Sequence, residues 1–99
     1  MGSDWGFLTK HALVLSYVAK NPNATIREIS DAIDVTERSI HRLVDDLVED
    51  EYLVRIKEGR RNRYHVNEFQ TLKHPLHDEV QVGDLLNVLR AGSSGWRVD

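Results

Sequence analysis

Between Thr25 and Val66 the spacing of apolar residues changes from helical to strand-like. Ile26, Ile29 and Ile33 recur at three- and four-residue intervals, which predicts a short helix. Ile40, Leu43, Val44, Leu47 and Val48 repeat that spacing over a longer stretch and predict a second one. The pattern then becomes strand-like over Leu53–Lys57 and Arg63–Val66, with Ile56 and Tyr64 alternating against charged neighbours. Between the strands, Glu58-Gly-Arg-Arg-Asn62 makes a tip, where Gly59 and Asn62 are the residues that accept positive φ. Upstream, KHALVLSYVAK carries Ala12, Leu15 and Ala19 on one stripe, widened by Val14 and Val18 and led into by Leu8. Thr9 is its expected N-cap and Asn21-Pro22 its end, because proline cannot continue a helix.

The helix ends are written into the chain. Thr25-Ile-Arg-Glu28 is a capping box, in which the threonine oxygen takes the Glu28 amide and the glutamate reaches back to the Thr25 amide. Asp34 falls in the turn, where aspartate tolerates a left-handed backbone, Val35 is placed to plug the angle between the helices, and Thr36 caps the next one. Helix, turn, helix and basic hairpin, in that order, predict a mainly α chain with a small β-hairpin wing (α+β), a winged helix-turn-helix. Residues 5–66 make that domain, after a flexible N-terminus at 1–4. Residues 67–90 form a packing or dimerisation segment and 91–99 a disordered tail. Within the third part, Asn67–Leu76 is a loop or short helical turn interrupted by Pro75. Val82–Arg90 is a helix with Val82, Leu85, Leu86 and Leu89 on one side and Val88 beside them. That stripe suits a core helix or a dimer seam, and the sequence leaves both open.

Ninety-nine residues with 40% hydrophobic content suffice for one small core and leave little room for a second ligand-binding domain. With no cysteine, disulfides, thiolate zinc sites and cysteine nucleophiles are excluded. No apolar run approaches the ~18 residues of a membrane span and no signal-peptide pattern opens the chain, so the expectation is a cytoplasmic protein. A net charge of −3 argues against nucleic acid until its distribution is considered. Arg55 to His65 holds five basic residues against one acid, whereas Asp45 to Glu51 holds five acids and no base. Screening beyond ~8 Å makes the local face, rather than the sum, what a phosphate track meets.

On the longer helix, the side opposite the apolar stripe presents Arg38, His41, Arg42 and Asp45, with Thr36, Glu37 and Ser39 at its start. The N-terminal turns of such a helix point at base edges, so Thr36, Glu37, Arg38, Ser39, His41 and Arg42 are candidate DNA-reading residues. Arg38 and Arg42, four apart, can enter one groove, and an arginine there binds guanine O6 and N7 bidentately. Glu37 can accept from a cytosine amino group or favour the helix dipole. On the wing, Lys57, Arg60, Arg61 and Arg63 are candidate contacts to phosphates or to a narrow minor groove. His11 reads as a surface or capping residue.

The opening Trp5-Gly-Phe-Leu-Thr-Lys-His-Ala, the run Val-Thr-Glu-Arg-Ser-Ile-His-Arg-Leu-Val-Asp-Asp-Leu, the wing Gly-Arg-Arg-Asn-Arg-Tyr, and His74-Pro-Leu with Val82-Gly-Asp-Leu-Leu carry a resemblance. Together they resemble small prokaryotic winged helix-turn-helix regulators of the MarR/ArsR-like superfamily, over about residues 5–90. The resemblance implies a transcriptional regulator, and the reading of the whole chain is a homodimer without catalytic activity or cofactor. The resemblance further implies double-stranded DNA as partner, the third helix in the major groove, and the wing on flanking backbone or minor groove. The chain departs from the usual pattern with Asp34 where many such proteins carry glycine, and in its acidic total.

Two other readings stay open on sequence. A metal-responsive regulator would use His74, His77 and Asp78, although Pro75 breaks the helical spacing and no cysteine is available for a soft metal. A protein-interaction winged helix would use the acidic segment and the leucine-rich end, but has no need of a basic wing tip. No glycine-rich phosphate loop, nucleophile elbow or metalloprotease motif supports an enzyme.

Overall fold

The computed structural model describes residues 6–91. The elements are α1 (Lys10–Lys20), α2 (Ile26–Ile33), α3 (Glu37–Glu49), β1 (Leu53–Glu58), β2 (Arg61–Val66) and α4 (Val82–Ala91), with a 3-10 turn at Pro75–His77 before α4. This is the expected α+β winged helix. The segments expected to be flexible, 1–4 and 92–99, lie outside the described residues, whereas Ala91, assigned to the tail on sequence, is the last residue of α4.

The predicted caps account for where α1, α2 and α3 begin. Thr9 accepts from the Ala12 amide, and the Thr25–Glu28 box is closed in both directions, at 2.9 and 3.1 Å. Asp34 adopts the left-handed region (φ 58°, ψ 51°), which allows the Val35 N–H to reach the Ser30 carbonyl at 3.2 Å. The Ser30 hydroxyl donates to the Val35 carbonyl, so the turn is held from both sides. Helix α3 ends in a way the sequence reading missed. Glu51 sits at φ 67°, with its N–H on Val48 O (3.1 Å) and the next N–H, of Tyr52, on Leu47 O (2.9 Å). That is a Schellman closure with glutamate where glycine is usual.

The hairpin pairs Leu53 with Val66, Arg55 with Tyr64, Ile56 with Arg63 and Glu58 with Arg61. Gly59 and Arg60 alone form its loop. Gly59 has φ 63°, and Arg60 is not among the positive-φ residues, the pattern of a II′ turn. Asn62, expected to take positive φ, lies inside β2 instead, because the two-residue turn needs only one such position. The register also separates Ile56 from Tyr64: successive side chains face opposite sides. Tyr64 is buried with Leu53 and Val66, while Ile56 is exposed beside Arg63. The backbone N–H of Tyr64 donates to Pro22 O (3.0 Å), fastening the far edge of β2 to the α1–α2 turn.

One core joins all elements: Val14, Leu15 and Val18 of α1, Ile29 of α2, Ile40, Val44 and Leu47 of α3, the hairpin residues just named, and Val82 and Leu86 of α4. Val35 packs against it as expected. Helix α4 therefore contributes to the core, with Val82 and Leu86 at 1% and 2% exposure. Its start is stitched to the preceding loop by Val82 N–H to Gln70 O and Gly83 N–H to Glu68 O, both 2.8 Å. A β-carbon on Gly83 would lie 2.9 Å from Glu68 Cβ, so this approach requires glycine.

Candidate nucleic-acid interface

Helix α3 is held from beneath by Ile40, Val44 and Leu47, which are buried, and this turns Glu37, Arg38, His41, Arg42 and Asp45 outward. These positions form one stripe at helical spacing. Thr36 is exposed and Ser39 half-buried, and their polar atoms are engaged with each other. The Thr36 hydroxyl accepts from the Ser39 amide (3.1 Å) and donates to Ser39 Oγ (3.0 Å). Both residues thus cap the helix, whereas Arg38 and Arg42 extend from it. Among the described residues, no ion pair engages either arginine.

The wing is less uniform than its basic composition suggests. Lys57 and Arg60 are exposed, and among the described residues neither has an ion-pair partner. Arg61 Nη2 donates to the Asn23 carbonyl at 3.3 Å, which draws it towards the α1–α2 turn. Arg63 lies 3.8 Å from Glu58 across the hairpin. Arg55, counted with the basic stretch on sequence, is bound to Asp45 of α3 through Nη2···Oδ1 at 2.7 Å. The Asp45 hydrogen bond raises the Arg55 pKa above its ordinary value, partial burial opposes this, and Tyr64 adds a smaller raising effect. The acidic end of α3 is therefore partly neutralised by its own fold. Asp46 likewise meets His11 Nε2 of α1 at 2.8 Å, so His11 is a cross-helix partner rather than a cap.

The tertiary structure adds a feature that sequence reading did not find. The wing tip and the start of α2 enclose a cleft of about 180 Å³, lined by Asn23, Thr25, Arg60, Arg61 and Asn62 among others. It brings Arg60 and Arg61 beside the positive end of the α2 dipole, where the capping box already engages the Thr25 and Glu28 amides. The capping box was legible in the sequence, but only the fold places residues 23–26 beside residues 60–62.

The histidines proposed for a metal give a weaker arrangement. The His74 and His77 rings are 6.1 Å apart, and His74 Nδ1 accepts from the Leu76 amide at 3.1 Å. Among the described residues, no group of three or more histidine, aspartate or glutamate side chains is placed to hold a metal ion. No helix of the described residues is long and apolar enough to cross a membrane.

No curated protein matches the chain. The sequence model of the MarR family matches residues 5–63, which is more than half of its length and contains α1, the helix-turn-helix and most of the hairpin. The four helices and antiparallel two-stranded wing of the described residues agree with that match, and the chain belongs to the MarR family of DNA-binding transcription regulators.

Proposed function

We propose that this regulator binds double-stranded DNA sequence-specifically as a homodimer, with the first two turns of α3 in the major groove and the wing tip on flanking backbone or minor groove. The observation that supports the reading is the pair of cations on each element that have no ion-pair partner among the described residues, Arg38 and Arg42 on α3 and Lys57 and Arg60 on the wing. In this assignment Arg38 and Arg42 read base edges, with Glu37 and His41 beside them. Thr36 and Ser39 hold the helix start and approach the backbone. Lys57 and Arg60 supply phosphate or minor-groove contacts, and Arg61 and Arg63 add less because each has an intramolecular partner.

Dimerisation is supported by the surface of α4. Val88 is 68% exposed, and Leu85 and Leu89 border an apolar groove of about 200 Å³ against Leu15 and Leu47. A two-fold pair would present two reading helices to half-sites about one DNA turn apart.

Fluorescence anisotropy against a randomised duplex pool across a salt series tests the reading. Binding is expected to weaken steeply with salt, and the Arg60→Ala/Arg61→Ala double variant to bind more weakly with a shallower slope. A folded chain that binds no duplex at low salt would refute it and direct attention to a protein partner.

A further inference from the structure

We infer that Asp45 and Arg55 are a positioning pair that sets the wing against the reading helix, neither side chain being itself a DNA contact; this rests on the DNA-binding reading above. Asp45 stands three residues after Arg42 and four after His41, so it continues the same exposed stripe of α3. Arg55 is on β1 directly opposite Tyr64, whose side chain is buried. Strand alternation puts Arg55 on the hairpin face shared by Leu53 and Tyr64, the face turned towards the core. From there its guanidinium reaches Asp45 at 2.7 Å. Among the described residues, this is the sole ion pair joining α3 to the hairpin.

The other edge of the hairpin is fixed independently. Tyr64 N–H bonds Pro22 O at 3.0 Å and Arg61 bonds Asn23 O at 3.3 Å, both in the α1–α2 turn. The β2 edge is thus tied to that turn, and the β1 edge to the reading helix by Arg55. Tilting the wing away from α3 would break the Asp45 contact first. With the contact made, the tip carrying Lys57 and Arg60 is held at one angle to Arg38 and Arg42, so one duplex can meet both sets.

The expected effect of removing Asp45 is opposite to the one its charge suggests. Asp45 is an acid on the DNA-facing stripe, and simple electrostatics says that its removal should strengthen binding to a polyanion. A positioning role says the reverse, because the loss of Asp45 frees the wing. It also separates Arg55 from Arg60: removal of a phosphate contact lowers the salt slope, while removal of a positioning residue weakens binding and leaves the slope alone.

The experiment uses the full chain and two duplexes, one selected from a randomised pool by the wild type and one unselected. Asp45→Ala and Arg55→Ala are each expected to weaken binding to the selected duplex about five- to tenfold, the double variant no further than either single, as for two residues acting through one contact. The exchanged pair, Asp45→Arg with Arg55→Asp, is expected to recover most of the affinity, and the salt slope of Arg55→Ala to equal that of the wild type. Tighter binding by Asp45→Ala, or a slope lowered by about 0.9 in Arg55→Ala, would overturn the positioning role while leaving the DNA reading intact. Absence of salt-sensitive binding by the wild type to any duplex would remove the DNA reading and this inference together. Thermal melting by circular dichroism checks that each variant is folded, and the exchanged pair keeps the comparison decisive if one single variant is not.

Discussion

Helix α3 and the wing both display arginines, but they hold them in different ways. Arg38 and Arg42 project from a helix whose opposite side is locked into the core by Ile40 and Val44, at 0% and 1% exposure. Nothing on the helix has to bind them for the helix to stay in place. The wing is a two-stranded hairpin, a structure marginal by itself. It is fastened partly through its own basic residues: Arg55 to Asp45, Arg61 to Asn23, and Arg63 towards Glu58. A count of positive charge therefore overstates what the wing can offer a polyanion and describes the helix accurately.

The largest expected contrast is in stability. Ile40→Ala removes a fully buried side chain beneath the exposed arginine stripe and should cost about 2–5 kcal/mol in chemical denaturation, with DNA binding expected to fall as the fold is lost. Ile56→Ala, on the outer face of the wing, should stay within about 0.5 kcal/mol. A similar cost at both positions would mean that the wing's outer face is packed in solution and that the contrast is false.

The second contrast is in what each arginine contributes to binding. Arg42→Ala should relax base preference by about 1–3 kcal/mol at one position of the selected site. Arg60→Ala should weaken binding to every sequence and lower the salt slope by about 0.9. If both variants lose equally on selected and unselected duplexes, helix and wing do not divide the work in this way.

The smallest effect sharpens the point about engaged charge. Glu58→Ala removes the acid facing Arg63 across a half-exposed pair, so stability should change by about 0–1 kcal/mol. DNA binding should become tighter, because Arg63 is released and an acid is lost from the wing. Weaker binding in that variant would show that Glu58 positions the wing, as inferred for Asp45.

Much of this architecture was legible because its signals are local. The Thr9, Thr25 and Thr36 caps, the left-handed Asp34 and the buried stripes of α1, α2 and α3 depend on neighbours within a few residues. The same holds for Gly59 at the wing turn. The details that were misread depend on register. Ile56 and Tyr64 alternate alike with charged neighbours in the sequence, and only the pairing of Ile56 with Arg63 places it on the outer face; Asn62 looked like a turn residue until the loop proved to be two residues long. The capped end of α3 at Glu51 escaped notice because glutamate at a left-handed position gives no compositional warning.

The sequence by itself determined the element order, the class of fold, and which face of α3 is exposed, because periodicity and capping act over one or two turns. Only the tertiary structure decided which charges are available. Asp45 and Arg55 are ten residues apart in the chain, and Asn23 and Arg61 are thirty-eight apart. Whether such groups meet is set by how α3, the hairpin and the α1–α2 turn close around one core. The same closure gave α4 its place, since Val82 and Leu86 complete that core while Val88 stays outside it. A periodic stripe shows that a helix has an apolar side, but what that side meets depends on the packing of the whole chain.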